Sequence, residues 1–264
     1  MSILEEIVRN KKKELAAAQK KAPVSTLLSA VRYLDEPLRF ANALRTRADL
    51  AVIAEIKKAS PSAGVICEDF DPVNIAGRYA ENEAAAISVL TDETYFSGNT
   101  DHLKAVREAV DLPLLRKDFM IDPYQVVEAR TCGADAILLI MAVLSRRQCD
   151  ELVATAREMD LDFLVEAHSF RELERALSED YGLIGINNRD LSTLTVDLAT
   201  TEKLMEIVPP EVTVVSESGI KKRADIERLS KYGIDAVLIG ETLMRQPDVG
   251  KALRDFTGVV KCPN

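Results

Sequence analysis

From residue 51 onward, short apolar runs alternate with amphipathic stretches. The runs fall at residues 51–56, 84–90, 112–115, 134–140, 162–165, 182–186, 212–215 and 234–239, and each has strand length. Between them, residues 72–81, 101–110, 123–132, 146–159, 170–178, 199–207 and 221–232 repeat apolar positions at helical spacing, and a last helix is predicted near 248–256. Strands alternating with helices predict a parallel sheet. Eight such units predict a single α/β domain, a (β/α)8 TIM barrel. An internal repeat agrees with this. Cys132-Gly133-Ala134-Asp135-Ala136 and Tyr232-Gly233-Ile234-Asp235-Ala236 share one plan, in which Gly133 and Gly233 end a helix at a left-handed position and a strand follows. Tyr181-Gly182 repeats that punctuation more weakly.

The first fifty residues lie outside the repeat. Residues 2–21 are predicted as a helix capped by Ser2, with Glu5 and Glu6 in its first turn and lysines later, as the helix dipole prefers. Ile3, Leu4, Ile7 and Val8 form a short apolar stripe, and Lys11-Lys12-Lys13 is expected to be a solvated face. Pro23 ends this helix, a second follows over 24–33, and a third short piece covers 37–45. The expected organisation is a helical extension over 1–50 packing on the barrel, the barrel over 51–258, and a tail over 259–264.

Polar residues gather at the ends of the strands. Glu55 and Lys57 stand two apart, so one strand aims both side chains the same way. Ser60-Pro61-Ser62 and Gly64 then make a loop rich in turn formers. By themselves they fit either an ion pair closing the barrel end or an active site meeting a charged substrate. Arg116-Lys117-Asp118, Glu166-Ala167-His168 and Ser216-Glu217-Ser218 end the third, fifth and seventh runs, and Asn187-Asn188-Arg189 ends the sixth. In a barrel all C-terminal strand ends open on one face, so these groups are expected to converge there. Gly219 and Gly240, after the last two strands, allow backbone N–H groups to approach a phosphate, with turn formation alone as the alternative, and Ser60 and Arg189 could add a hydroxyl and a guanidinium, a surface ion pair being the alternative for Arg189. Phe119 and Leu138 are candidates for an apolar wall against an aromatic ring, with core packing as the alternative. Tyr95 and Phe96 are further candidates to face substrate, and His168 is expected to be packed or solvated.

Composition narrows the partners. Net charge is −9 and the isoelectric point about 5.0, which argues against nucleic-acid binding by bulk electrostatics and requires any anion site to be local. Four cysteines without Cys-x-x-Cys spacing, and two histidines, give no metal-site pattern. No apolar run reaches membrane-spanning length, no dinucleotide or P-loop fingerprint appears, and without a signal peptide the thiols are expected to be reduced and cytoplasmic.

The ordered motifs Glu55-Ile-Lys57-Lys-Ala-Ser60-Pro61-Ser62, Leu115-Arg-Lys117-Asp-Phe119, Val165-Glu166-Ala-His168, Ile186-Asn187-Asn-Arg189-Asp190-Leu191 and Ser216-Glu217-Ser218-Gly219-Ile220 resemble the indole-3-glycerol phosphate synthase family over essentially the whole chain. The resemblance implies closure of the indole ring of 1-(2-carboxyphenylamino)-1-deoxyribulose 5-phosphate, with loss of carbon dioxide and water and without a cofactor. It implies Lys117 as general acid, Lys57 as partner of the substrate carboxylate, Glu166 as acid/base, and Glu55 and Asn187 as orienting groups, with Ser218 and Glu217 on the rim. Glu241 follows Gly240 where the family often has a small hydroxyl residue, so its carboxylate is expected to turn outward and leave the amide to the phosphate. The expected partner is a small phosphorylated metabolite, with neither nucleic acid nor membrane, and the chain is expected to be a monomer or weak homo-oligomer. Phosphoribosylanthranilate isomerase and a non-catalytic phosphometabolite binder are the rival assignments.

Overall fold

The computed structural model describes residues 3–191 and 193–262. Eight parallel strands close a barrel: β1 (Ala51–Ile56), β2 (Ala86–Leu90), β3 (Leu114–Lys117), β4 (Ala136–Ile140), β5 (Asp162–Ala167), β6 (Leu183–Asn187), β7 (Thr213–Glu217) and β8 (Ala236–Ile239). Each pairs with its sequence neighbours, and β1 closes the ring against β8, with Ala51 opposite Ala236. The strands end later than the apolar runs where a polar inward residue follows, as at Lys117 and Glu217.

Side-chain period sorts the strand residues into two cores. Val52, Ala54, Ile56, Ile87, Val89, Ile137, Leu139, Val165, Ile184, Val214 and Val237 face the surrounding helices. Ala51, Ile53, Ala86, Leu115, Ala136, Leu138, Leu164, Leu183, Val215, Ala236 and Leu238 fill the barrel interior. Extending the second set by two residues along β1, β3, β5 and β7 reaches Glu55, Lys117, Glu166 and Glu217. The charged C-terminal end of the barrel is thus set by the same alternation that packs the core.

Gly133 (φ 84°) and Gly233 (φ 76°) adopt the left-handed conformation three residues before β4 and β8. Before β6 the same position is held by Asp180 (φ 56°), not Gly182, which explains the weak sequence punctuation there. Asp tolerates this conformation better than most side chains.

Three helices precede the barrel: α1 (Ile3–Lys21), α2 (Val24–Val31) and α3 (Phe40–Arg45). The capping role expected of Ser2 lies outside the described residues. Lys11 is not part of a solvated face: it is 4% exposed. Its ammonium lies 2.8 Å from Asp92, 2.9 Å from Asp118 and 2.6 Å from Glu14. Asp118 in turn faces Arg116 at 3.2 Å and accepts a hydrogen bond from Thr91 at 2.6 Å. Burial opposes the Lys11 charge, but Asp118 and Asp92 outweigh it and hold the lysine protonated. This buried pairing fixes α1 over the C-terminal mouth of the barrel. A short helix after β2 (Glu93–Phe96) braces it, with Asn10 donating to Thr94 at 2.9 Å and Tyr95 to Glu6 at 3.2 Å. Tyr95 therefore faces α1 and is not among the cavity-lining residues, whereas Phe96 is.

Candidate active site

A cavity of about 680 Å³ opens at the C-terminal mouth. Of the candidates, Glu55, Lys57, Ser60, Lys117, Phe119, Leu138, Glu166, Asn187, Arg189, Glu217, Ser218, Gly219, Gly240 and Glu241 line it with Phe96, and Tyr95 does not. Phe96 follows β2, and the others come from the other seven strands or from the loops that follow them.

The floor is a layer of charged residues from the odd strands β1, β3, β5 and β7. Lys117 Nζ donates to Glu166 Oε2 at 3.0 Å and lies 3.2 Å from Glu217 Oε2. Lys57 Nζ lies 2.6 Å from Glu55 Oε1. The even strands make room for these groups. A Cβ on Gly185 would come within 2.2 Å of Glu217 Oε1, and one on Gly240 within 2.1 Å of Glu55 Oε1 and 3.1 Å of Lys57 Nζ. A side chain at position 240 would therefore have to displace the Glu55 carboxylate from beside Lys57, a constraint separate from any anion outside.

Two ammonium groups face three carboxylates here. Burial opposes the Lys117 charge, yet Glu166, Glu217 and Glu55 together raise its pKa above the usual lysine range. Burial works against Glu166 ionisation as well, but Lys117 and His168 outweigh it and its pKa falls. Glu217 moves the other way: burial, reinforced by Glu166 and Glu55, pushes it up to about 7 despite Lys117. One layer thus holds a protonated amine, an ionised carboxylate and a carboxylate that titrates near neutrality. Separating the protonation of neighbouring groups in this way equips a site for acid and base steps.

Asn187 Oδ1 accepts the Arg189 backbone N–H at 3.0 Å, and Arg189 Nη1 donates to Leu194 O at 3.2 Å, which closes the loop after β6 over the cavity. The buried Asn188 ties that loop to the next, donating to Glu217 O at 2.9 Å and Ser218 O at 3.1 Å. Ser218 (φ 65°) and Gly219 (φ 88°) are successive left-handed residues, and a Cβ on Gly219 would meet Val196 Cγ1 at 2.6 Å. Thr242 Oγ1 donates to Ile220 O at 2.6 Å and holds the loops after β7 and β8 together. Glu241 turns its carboxylate onto Arg245, 2.8 Å away. Ser60 sits in a small hairpin, where its hydroxyl accepts the Ala63 N–H at 3.2 Å.

The apolar wall is larger than Phe119 and Leu138. Ile3, Leu4 and Ile7 of α1 line the cavity, as do Phe96, Leu191, Leu194 and Val196. The Phe96 and Phe119 ring centroids are 6.2 Å apart. The stripe on α1 was visible as a pattern, but its destination required the Lys11 anchor. His168 is packed, one of the two placements expected of it, and its neighbours are carboxylates. It shares strand parity with Leu164 and Glu166, and Glu172 follows four residues later, a signal present in the sequence. Its Nε2 lies 3.2 Å from Glu166 Oε1 and its Nδ1 3.1 Å from Glu172 Oε2. Burial opposes its charge, but these two carboxylates push its pKa up to about 10.

Comparison with known proteins agrees with this geometry. The family model for indole-3-glycerol phosphate synthase matches residues 4–256. The indole-3-glycerol phosphate synthase of Dehalococcoides mccartyi (strain CBDB1) is 49% identical, covering 96% of this chain and 99% of that protein. That of Acidithiobacillus ferrooxidans is 52% identical, covering 96% and 97%. Among solved structures, 3-hexulose-6-phosphate synthase from Salmonella typhimurium superposes with a TM-score of 0.63 at 12% identity, covering 78% of this chain and 96% of that one, a likeness of fold. A match running from α1 through the last helix, at about half identity, leaves one assignment: the chain belongs to the indole-3-glycerol phosphate synthase family, carboxy-lyases of tryptophan biosynthesis.

Proposed function

We propose that this cavity closes the indole ring of 1-(2-carboxyphenylamino)-1-deoxyribulose 5-phosphate through Lys117 as general acid, with Glu166 beside it as the proton acceptor. The observation that carries this assignment is the Lys117 ammonium, held between Glu166 and Glu217 at the floor of a cavity whose rim carries both glycine loops. A bond must form between the aryl carbon bearing the carboxylate and the ketone carbon, the bond to carbon dioxide must break, and the new hydroxyl must leave as water while the ring methylene beside the nitrogen gives up a proton to the base. A protonated amine donating to the ketone oxygen stabilises the charge that develops there. Atoms and electrons balance without an oxidant or reductant, so the chemistry asks for no cofactor.

Lys57 pairs with the substrate carboxylate, and Glu55 orients Lys57 and serves as a second acid/base group. Asn187, Ser218 and Glu217 orient the chain hydroxyls. The phosphate sits against the backbone amides around Gly219, Gly240 and Glu241, assisted by Ser60 and Arg189. The aryl ring lies against Phe119 and Leu138. The enzyme works in the cytoplasm as a monomer or weak homo-oligomer, its partner a small phosphorylated metabolite. Its net charge of −9 disfavours nucleic acid and anionic membrane surfaces.

Following indole absorbance and fluorescence after adding the anilino-ribulose phosphate tests the proposal. A stoichiometric rise of the indole signal with release of carbon dioxide is the expected result. Substrate bound but recovered unchanged would leave a metabolite binder instead, and interconversion with phosphoribosylanthranilate would leave an isomerase.

A further inference from the structure

Glu166 is held from two sides by cations of different origin. Lys117, from β3, takes Oε2 inside the barrel. His168, two residues beyond Glu166 on its own strand, faces Oε1 from the rim at 3.2 Å, an ion-pair contact not aligned as a hydrogen bond. The imidazole is fixed at its other nitrogen by Glu172 of the following helix (Phe170–Ser178), which also accepts the His168 backbone N–H at 2.9 Å. Its side chain is only 8% exposed and it does not line the cavity, so it faces Glu166 without meeting substrate.

From these contacts we propose that His168 is a positioning residue for ring closure: as an imidazolium clamped between Glu172 and Glu166, it keeps Glu166 an ionised, oriented proton acceptor throughout the cycle. The inference rests on the role given above to Glu166. The charges around that carboxylate explain why a second cation matters. Glu217 from β7 and Glu55 from β1 stand on the same floor, and Lys117 is the ammonium in direct contact with Glu166 there. Once Lys117 donates its proton, its positive charge is gone. Lys57 is engaged with Glu55, so without another cation in contact Glu166 would then be a buried carboxylate facing Glu217 and would take up a proton more readily. His168 supplies a charge that the reaction does not consume. Glu172 holds the ring in register and balances that charge on the side away from the cavity.

The test joins a spectroscopic and a kinetic readout. The chain has two histidines, His102 and His168, so the imidazole Cε1–H resonances can be followed one by one, with His102→Gln giving the assignment. In the native enzyme the His168 resonance is expected to stay at its imidazolium position through pH 8 while His102 titrates at lower pH. Titration of His168 near its ordinary value of about 6.5 would overturn the inference. In His168→Gln, which keeps a polar side chain but loses the charge, the acid limb of the kcat/KM profile is expected to move up by about one to three pH units, the effect of removing an adjacent opposite charge. Glu172→Gln should move it in the same direction by less. Two kinetic results contradict the proposal. If Glu166→Gln is inactive while the His168→Gln profile superposes on the native one, His168 only packs. If Glu166→Gln retains turnover, the assignment of Glu166 itself fails and His168 has nothing to position.

Discussion

Replacing Lys117 with alanine is expected to lower turnover by roughly 10²–10⁴-fold, the range for losing a general acid, while the barrel stays folded. Removing one partner of a buried ion pair commonly destabilises a protein severely, because the other charge is stranded. Here the stranded charge has an outlet. Burial, Glu166 and Glu55 already push the Glu217 pKa up against the pull of the ammonium, so removing the ammonium favours its neutral form further. Glu166 keeps His168. Substrate affinity is expected to fall less than turnover, because the phosphate is proposed to bind at the glycine loops of the rim and not at Lys117. Steady-state kinetics and circular dichroism on the same preparation check this. Near-native turnover in the alanine variant would remove Lys117 from the acid role.

Substituting Lys11 with methionine is expected to produce the largest loss of stability, about 3–5 kcal/mol, with the lower end favoured because Arg116 still faces Asp118. Methionine fills the space of the aliphatic stem but leaves Asp92 and Asp118 without their shared cation. For a chain of this size a loss at that lower end lowers the melting temperature by on the order of 10 °C. Activity is expected to suffer through KM, since Ile3, Leu4 and Ile7 form a wall of the cavity and depend on α1 being seated. A thermal unfolding scan decides it. An unchanged melting temperature would show that the Lys11 cluster does not anchor the helix.

Much of this was legible in the chain. The eight apolar runs were enough for the closed sheet, because a parallel barrel buries both faces of every strand and so writes each as a continuous apolar run. The convergence of Glu55, Lys117, Glu166 and Glu217 followed from the common direction of the strands, whose C-terminal ends open on one face. What was not legible depends on contacts between distant segments. The Lys11 triplet looks like a solvated stripe until Asp92 and Asp118 are brought beneath its first member. Gly185 lies within an apolar run, and nothing local marks it as the space into which Glu217 folds from the neighbouring strand. The small helix at Glu241–Met244 is too short to show a period, although its first residue was marked by its place after β8.

The most direct test of the account is the structure of the enzyme with a reduced substrate analogue, in which an alcohol replaces the ketone. The expected complex has the alcohol oxygen within about 2.6–3.2 Å of Lys117 Nζ, hydrogen-bonding distance for a general acid, and the phosphate against the amides around Gly219 and Gly240. An alcohol oxygen held by Lys57 instead, or a phosphate bound away from both glycine loops, would contradict it.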